Sequence, residues 1–367
     1  MSQRLRVGVV GTGIIAQVMH LNYLRELSDR YEIVALCDIS LDNATACAEQ
    51  YGVSAVFTDW REMLRQPMDA VFVLTSGSHA PIAIAAANAG LHVLVEKPMC
   101  FSVAEGKQMV AAAEQAGVKL MVAYPKRYDA AVMRFSDEVN QLSDARLLRV
   151  TTLEAPFLPY IGHYALAPVV APPLDVLERL RAETTESVDE AIGSVDDVPR
   201  SMYHAILLDC LVHELNTIRR VLGEPESLDY VDLRGNSLTV MLTCSGVPVS
   251  LNWIDLPGFT RYSMEFAMYT PERRLTLSFP SPFLRNEPTL LTVEAGEPGT
   301  TRSWKTEELS SYENAFKQEL VAFHDCVVMG TEPQTSGLDG LRDIALCEAI
   351  VRSARQHAPV AHPTRIR

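Results

Sequence analysis

Five short apolar runs in the first 125 or so residues limit the fold of this chain more than any other feature. RVGVVG, EIVALCD, AVFVLTS, HVLVEKP and KLMVAY are too uniformly apolar to alternate in polarity, so each reads as a strand covered on both faces. Segments such as SLDNATACAEQYG and PIAIAAANAG lie between them, with apolar residues at helical spacing and stops at Gly52 and Gly90. Strand and helix alternating in this way imply a parallel sheet with helices on both faces.

The texture changes after about residue 128. ARLLRVTTLEA, LDYVDLRG, SLTVMLTCSG, VPVSLNWID, RYSMEFAMY, RRLTLSF and PTLLTVEAG follow one another with turn residues between them and few helices. They predict a mostly antiparallel sheet several strands wide. One long helix interrupts it, starting after Pro199 and ending at Gly223. Residues 182–197 hold six acids and no base, and read as a solvated surface loop in preference to a lid over a site. Two closing helices, in ENAFKQELVAFHDCVVMG and LDGLRDIALCEAIVRSARQH, flank a PQTSG turn. The fold class is thus α/β, with a dinucleotide-binding domain over 1–127 and an α+β substrate and oligomerisation domain with an open sheet over 128–335. Residues 336–367 form a helix returning toward the first domain.

With 367 residues the chain exceeds what one hydrophobic core usually supports, in keeping with two domains. A net charge of −14 without a basic stripe argues against a nucleic-acid partner, which needs clustered Lys and Arg. The opening MSQRLRVGVVGTG enters a strand pattern without a secretory leader, and no apolar run approaches bilayer-spanning length. Seven scattered cysteines, with no C-x-x-C spacing, fit a reduced cytoplasmic protein without a Cys-based zinc site.

Gly11-Thr12-Gly13-Ile14-Ile15-Ala16 follows the first strand and opens a helix. The first glycine permits a tight turn, the second lets backbone approach a pyrophosphate, and the small third residue lets helix pack on strand. Phosphate then meets the positive end of a helix. Asp38 closes the second strand at the position where a carboxylate accepts bonds from ribose hydroxyls and repels a 2′-phosphate. No Arg or Lys follows in Ile39-Ser40-Leu41-Asp42, so NAD is favoured over NADP.

Glu96-Lys97-Pro98 ends an apolar strand, at the carboxyl edge where open parallel sheets bind ligands. Burial there lowers the Lys97 pKa unless a carboxylate or ligand compensates. By themselves the two charges also fit an ordinary exposed pair. Asp209 and His213 lie four apart on the long helix, hence on one face, where a carboxylate can orient an imidazole for proton transfer. Such a pair also occurs as a plain helix-surface or core interaction. With His204 it matches no strong metal signature, and no metal is expected.

Taken in order, GTGIIA, LCD, DAVFVLTSGSHAPIAIAAANAGLHVLVEKPM, AYPKRY, LLDCLVHELNTIRRVLGEP and the closing two-helix segment resemble the glucose–fructose oxidoreductase / inositol dehydrogenase / MocA family of NAD(P)-dependent oxidoreductases. The resemblance covers nearly the whole chain. It implies a Rossmann domain followed by an α/β domain whose open sheet commonly builds dimers or tetramers. By position it makes Lys97 the lysine that contacts nicotinamide and substrate hydroxyl, His213 the general acid/base, and Asp209 its partner in the substrate pocket. Thr75, Ser76, His79 and Glu96 then line the cofactor with Gly11, Thr12, Gly13, Ile14, Ile15 and Asp38, and Arg127 lies in the hinge near the nicotinamide.

Two departures from the family pattern stand out. Ser76-Gly77 follows Thr75 where the family usually has Pro, and the segment between Pro156 and Pro199 is longer than the family leads one to expect. Tyr160 and His163 in that segment are candidate substrate contacts, or packing residues. The expected activity is reversible oxidation of a secondary alcohol on a sugar, polyol or glycoside. The alternatives are a glycoside hydrolase using NAD transiently, and a sensor that has lost its chemistry.

Overall fold

The computed structural model describes residues 3–167 and 170–356. Strands β1 (Leu5–Val10), β2 (Tyr31–Cys37), β3 (Val56–Phe57), β4 (Ala70–Val73), β5 (His92–Val95) and β6 (Leu120–Val122) form one six-stranded sheet in the order β3, β2, β1, β4, β5, β6. Every pairing in it is parallel. All four residues of β4 and all three of β6 are buried, as both-face coverage by helices requires. The order reverses beside β1, which opens the ligand crevice at the carboxyl ends of β1 and β4. The two-residue β3 is too short to leave a sequence signal.

The second sheet contains β7 (Leu147–Glu154), β8 (Pro225–Leu233), β9 (Ser237–Cys244), β10 (Val247–Asp255), β11 (Ser263–Tyr269), β12 (Arg273–Phe279), β13 (Leu290–Gly296) and β14 (Ser303–Glu308). Its order is β14, β13, β12, β11, β7, β10, β9, β8, antiparallel except where β7 meets β10. Strand β9 alternates half-buried and buried residues along its whole length, the signature of a sheet with one covered face. The covered face packs against the helices of 197–222 and Ala130–Asn140. The other carries Met241, Thr243, Ser250, Asn252 and Ile254. Strand β14, SWKTEE, is exposed almost throughout and has no apolar alternation by which to read it.

Two elements differ from the sequence expectation. The acidic segment 182–197 is no loop: most of it belongs to helix Leu174–Ile192, whose Val188 and Ile192 are buried while its acids face outward. Acidic residues on a solvated face do not oppose a helix that has an apolar stripe to bury. The long helix begins at Asp197, with Pro199 in its first turn where a missing N–H costs nothing. It passes through a π-helical stretch, Met202–Leu211, before Val212–Leu222 ends at Gly223.

The chain returns to the first sheet earlier than residue 336. Phe316, Leu320 and Phe323 of helix Ala315–Met329 share an apolar cluster with Val7, Val9 and Phe72, and the Phe72 and Phe323 rings meet edge-on at 5.4 Å. The Val122 N–H donates to Thr335 at 2.8 Å, and helix Gly337–Gln356 adds Ile344, Cys347, Ile350 and Val351 to the core on the opposite face. Residues 357–367 of the expected returning helix lie outside the described residues.

Candidate active site

The glycine loop is built as a phosphate cradle must be. Gly11 has φ +96°, and a Cβ there would stand 2.7 Å from the Leu74 carbonyl, so no other residue fits. A Cβ at Gly13 would meet no described atom within 4 Å, which leaves its backbone open to a ligand. Asp38 Oδ2 accepts from the Thr12 N–H and hydroxyl, both at 2.9 Å, and Oδ1 accepts from the Ser40 N–H at 2.9 Å. These bonds fix the carboxylate at the end of β2. Thr75 and the exposed Ser76 follow β4 beside the loop, with Ile14 and Ile15 half-buried opposite. The residues present therefore fit a dinucleotide.

His79 and Glu96 lie beneath this surface instead of on it. The ring nitrogens of the buried His79 stand 2.7 Å from the Pro98 carbonyl and 2.8 Å from that of Thr75. Glu96 Oε1 lies 2.7 Å from His20 Nε2, and Oε2 accepts from the Lys97 N–H at 3.0 Å. His79 thus ties together the loops after β4 and β5, and Glu96 ties the end of β5 to the helix that carries His20. Burial works against the Glu96 carboxylate, yet the His20 bond and Lys97 hold it below its usual range.

Lys97 projects the other way. Its Nζ donates to the Asp209 backbone carbonyl at 2.7 Å and to Asp209 Oδ1 at 2.9 Å. Burial opposes the ammonium, but Asp209 and Glu96 outweigh it and raise the pKa, so the carboxylate that compensates Lys97 is Asp209. This corrects the expected Asp209–His213 partnership. No hydrogen bond or ion pair joins Asp209 to His213 among the described residues, and Asp209 lies in the π-helical stretch, where i, i+5 spacing replaces i, i+4. His213 is pushed well below its ordinary pKa by burial and by the charges of Lys126 and Lys97, and is neutral at pH 7. Its Nδ1 has no partner among the described residues, and Tyr124 meets its ring edge-on at 6.0 Å.

Arg127 also differs from expectation. It is buried, donating to the carbonyls of Asn216 at 3.1 Å and Gln334 at 3.3 Å, and so ties the AYPKRY turn to the helices behind it. In the 3-10 turn Pro125–Tyr128 it is Lys126, not Arg127, that stays partly exposed and whose charge acts on His213 and Lys97. Burial lowers the Lys126 pKa and Lys97 adds to this, with Glu214 opposing; its Nζ stands 5.7 Å from the Phe279 ring. Lys126 is the neighbour of the Arg127 expected near the nicotinamide.

Tyr160 and His163 are placed by the segment that follows β7. The Tyr160 hydroxyl donates to Thr260 at 3.2 Å and accepts from the Tyr262 N–H at 2.7 Å, so it positions the 260–262 loop. His163 is exposed, with its ring 3.9 Å from that of Tyr164, in a groove also lined by Tyr23 and Arg285. Beyond it the segment bonds to residues of the first domain. Ala167 exchanges two hydrogen bonds with the Gln17 amide, at 2.7 and 3.4 Å, and Val170 exchanges two with Asn43, at 2.8 and 3.3 Å. Farther on, Ser187 donates to Glu105 at 3.0 Å, on the carboxylate that also takes a bond from Ser78. Gln17 and Asn43 stand beyond the ends of β1 and β2, Ser78 and Glu105 beyond β4 and β5. Ala167, Val170 and Ser187 thus tie the segment along the carboxyl edge of the sheet.

Residues 5–124 match the family model described as "Oxidoreductase family, NAD-binding Rossmann fold". The chain is 26% identical to D-apiose dehydrogenase from Paraburkholderia graminis, over 96% of its length and 88% of that protein. It is 24% identical to myo-inositol 2-dehydrogenase from Thermotoga maritima, over 97% and 98%. Among solved structures, levoglucosan dehydrogenase in complex with NADH and L-sorbose superposes with a TM-score of 0.74 at 18% identity, covering 96% of this chain and 97% of that one. A 3-ketoreductase from Actinomadura kijaniata, bound to TDP-benzene and NADP, gives 0.72 at 19% identity, covering 96% and 98%. Loop, sheet order and relatives together define an NAD(P)-dependent oxidoreductase. The resemblance to the glucose–fructose oxidoreductase / inositol dehydrogenase / MocA family is thus carried by the model match over residues 5–124 and by relatives that span nearly the whole chain.

Proposed function

We propose that the protein is a sugar or polyol dehydrogenase that oxidises a secondary alcohol reversibly, with NAD preferred to NADP. The observation that carries this reading is the Lys97 ammonium, held by Asp209 at the crevice edge and acting electrostatically on a neutral His213. When bound, nicotinamide supplies the two-electron step at the alcohol carbon. Gly11, Gly13, Asp38, Thr75 and Ser76 would hold the dinucleotide. Lys97 holds the substrate oxygen and stabilises the negative charge that develops on it, an effect that is strong where water is excluded. His213 is ready to accept the hydroxyl proton because its neighbours keep it unprotonated, and it returns the proton in reduction. Asp209 keeps Lys97 charged and aimed. The carboxylate of Asp38 supports NAD, since a 2′-phosphate there would meet a fixed negative charge.

The named activities of the relatives, on D-apiose and myo-inositol, support this substrate class. The sheet face bearing Ile254 and Met241 is the proposed surface for a homodimer or homotetramer, and light scattering on the purified chain tests it. For the chemistry, the test is turnover and cofactor binding by Lys97→Ala and His213→Ala. Both are expected to lose activity by about 10²-fold or more while NADH binding is largely retained. Near-full activity in either variant refutes the assignment, and equal kcat/KM with NADP refutes the cofactor preference.

A further inference from the structure

On the sheet side of His213 stand two carboxyl groups that the chemistry above does not use. Glu214 lies on the first turn of helix Val212–Leu222 and is 1% exposed. Its Oε1 accepts from the Thr152 hydroxyl at 2.6 Å, and its Oε2 has no partner among the described residues. Buried acceptors are nearly always paired, so a bare carboxylate oxygen next to the proposed base calls for a donor from outside the protein. Glu154 ends β7 and takes a long 3.4 Å bond from the Trp253 indole. Burial raises the pKa of both carboxyl groups, the charges of Glu214 and Asp209 add to the rise at Glu154, and both glutamates act on Tyr262.

The charge balance around His213 then decides what can enter. Lys97 is already held by Asp209, and Lys126 faces Glu214. Three acids, Glu154, Asp209 and Glu214, thus stand against two lysines, and although Lys126 makes no ion pair or hydrogen bond among the described residues, the group carries no surplus of positive charge for an anion. A carboxylate or phosphate on the substrate would sit against acids at short range in a dry site. Ring hydroxyls, in contrast, donate to Glu214 Oε2 and to Glu154 and accept from Lys97 and Lys126.

We infer that Glu154 and Glu214 form a hydroxyl-reading wall, and that the substrate is an uncharged polyhydroxylated ring, not a sugar acid, sugar phosphate or nucleotide-linked sugar. This rests on the dehydrogenase reading of the site. The two glutamates act on binding and orientation, with no part in the proton transfer assigned to His213.

The test is kcat/KM of the full chain with NAD on matched pairs: free aldoses, inositols and methyl glycosides against uronic acids, sugar phosphates and a nucleotide sugar. The neutral member is expected to exceed its anionic counterpart by about 10²-fold or more. A site built to bind a hydroxyl rejects the deoxy analogue by up to about 10⁴-fold, so removing the hydroxyl that Glu214 reads should show a loss in that range. Glu214→Gln and Glu154→Gln are each expected to raise KM for the neutral substrate at least tenfold and to narrow the neutral-to-anionic ratio, with NADH affinity unchanged. Two variants are used so that one folding failure does not decide the outcome. Anionic members turned over as well as neutral ones, or unchanged KM in both variants, overturn the inference and leave the dehydrogenase reading standing. Absence of turnover on every member, with NAD and NADP alike, overturns both.

Discussion

Glu319 offers a sharp test of how the C-terminal helices dock. It sits on helix Ala315–Met329, is 0% exposed, and has no close hydrogen-bond partner among the described residues, the Tyr124 backbone opposing its burial only weakly. Burial, reinforced by the negative charge of Glu96, pushes its pKa well above the usual 4.5. The folded protein therefore keeps a proton that the unfolded chain releases. With more protons bound in the folded state, stability falls as pH rises. Its contribution is fully present below about pH 4.5 and is lost progressively until the pH passes the raised folded value. Over that window the slope approaches about 1.4 kcal/mol per pH unit. Glu319→Gln removes the titration. The amide brings its own buried polar atoms, a fixed cost of about 1–3 kcal/mol, so the offset between variant and parent carries no information and the slope does. Denaturant unfolding of both proteins at several values between pH 5 and 8 is expected to show the variant gaining on the parent steadily with pH. A difference that stays flat across the range would mean Glu319 is ionised or hydrated in the folded protein, and the reasoning fails.

Two further expectations concern the crevice. Replacing both Gln17 and Asn43 by Leu deletes the four hydrogen bonds to Ala167 and Val170, worth about 0.5–1.5 kcal/mol each. NADH dissociation, followed by stopped-flow fluorescence, should accelerate at least tenfold, and an unchanged rate refutes a role for these bonds. Because His213 is held neutral by burial, Lys126 and Lys97, the acid limb of kcat/KM for alcohol oxidation should lie below pH 6.5. Lys126→Met should move that limb upward; if it stays in place, Lys126 does not act on His213.

The parts of the site that depend on backbone chemistry were legible in the sequence. Gly11 must be glycine because of the Leu74 carbonyl, and such a demand leaves its mark on the residue chosen. Lys97 was legible because charges at the end of a buried strand are costly unless they face water or a ligand crevice. Lys126, Glu154 and Glu214 left no comparable signal. Each belongs to the site only through the direction of a turn, a strand end or a helix face, and the AYPKRY turn drew attention to Arg127 instead. The Asp209–His213 pairing failed for a related reason, since helical spacing in the sequence does not announce a π-helical stretch. In the acidic segment, four of the six carboxylates lie on a helix whose buried residues are Val188 and Ile192, too short an apolar pattern to stand out among them.

The first sheet's core is finished by residues more than 180 positions beyond its last strand. Phe316, Leu320 and Phe323 close one face, and Ile344 through Val351 add to the other. During synthesis the six parallel strands leave the ribosome first, but their apolar faces stay incompletely covered until the last helices follow. A cut at residue 127 would therefore strip the first sheet of apolar residues that cover both of its faces in the whole chain. The sheet's completion waits on the whole chain, so a nascent or truncated product lacks a fully covered first sheet.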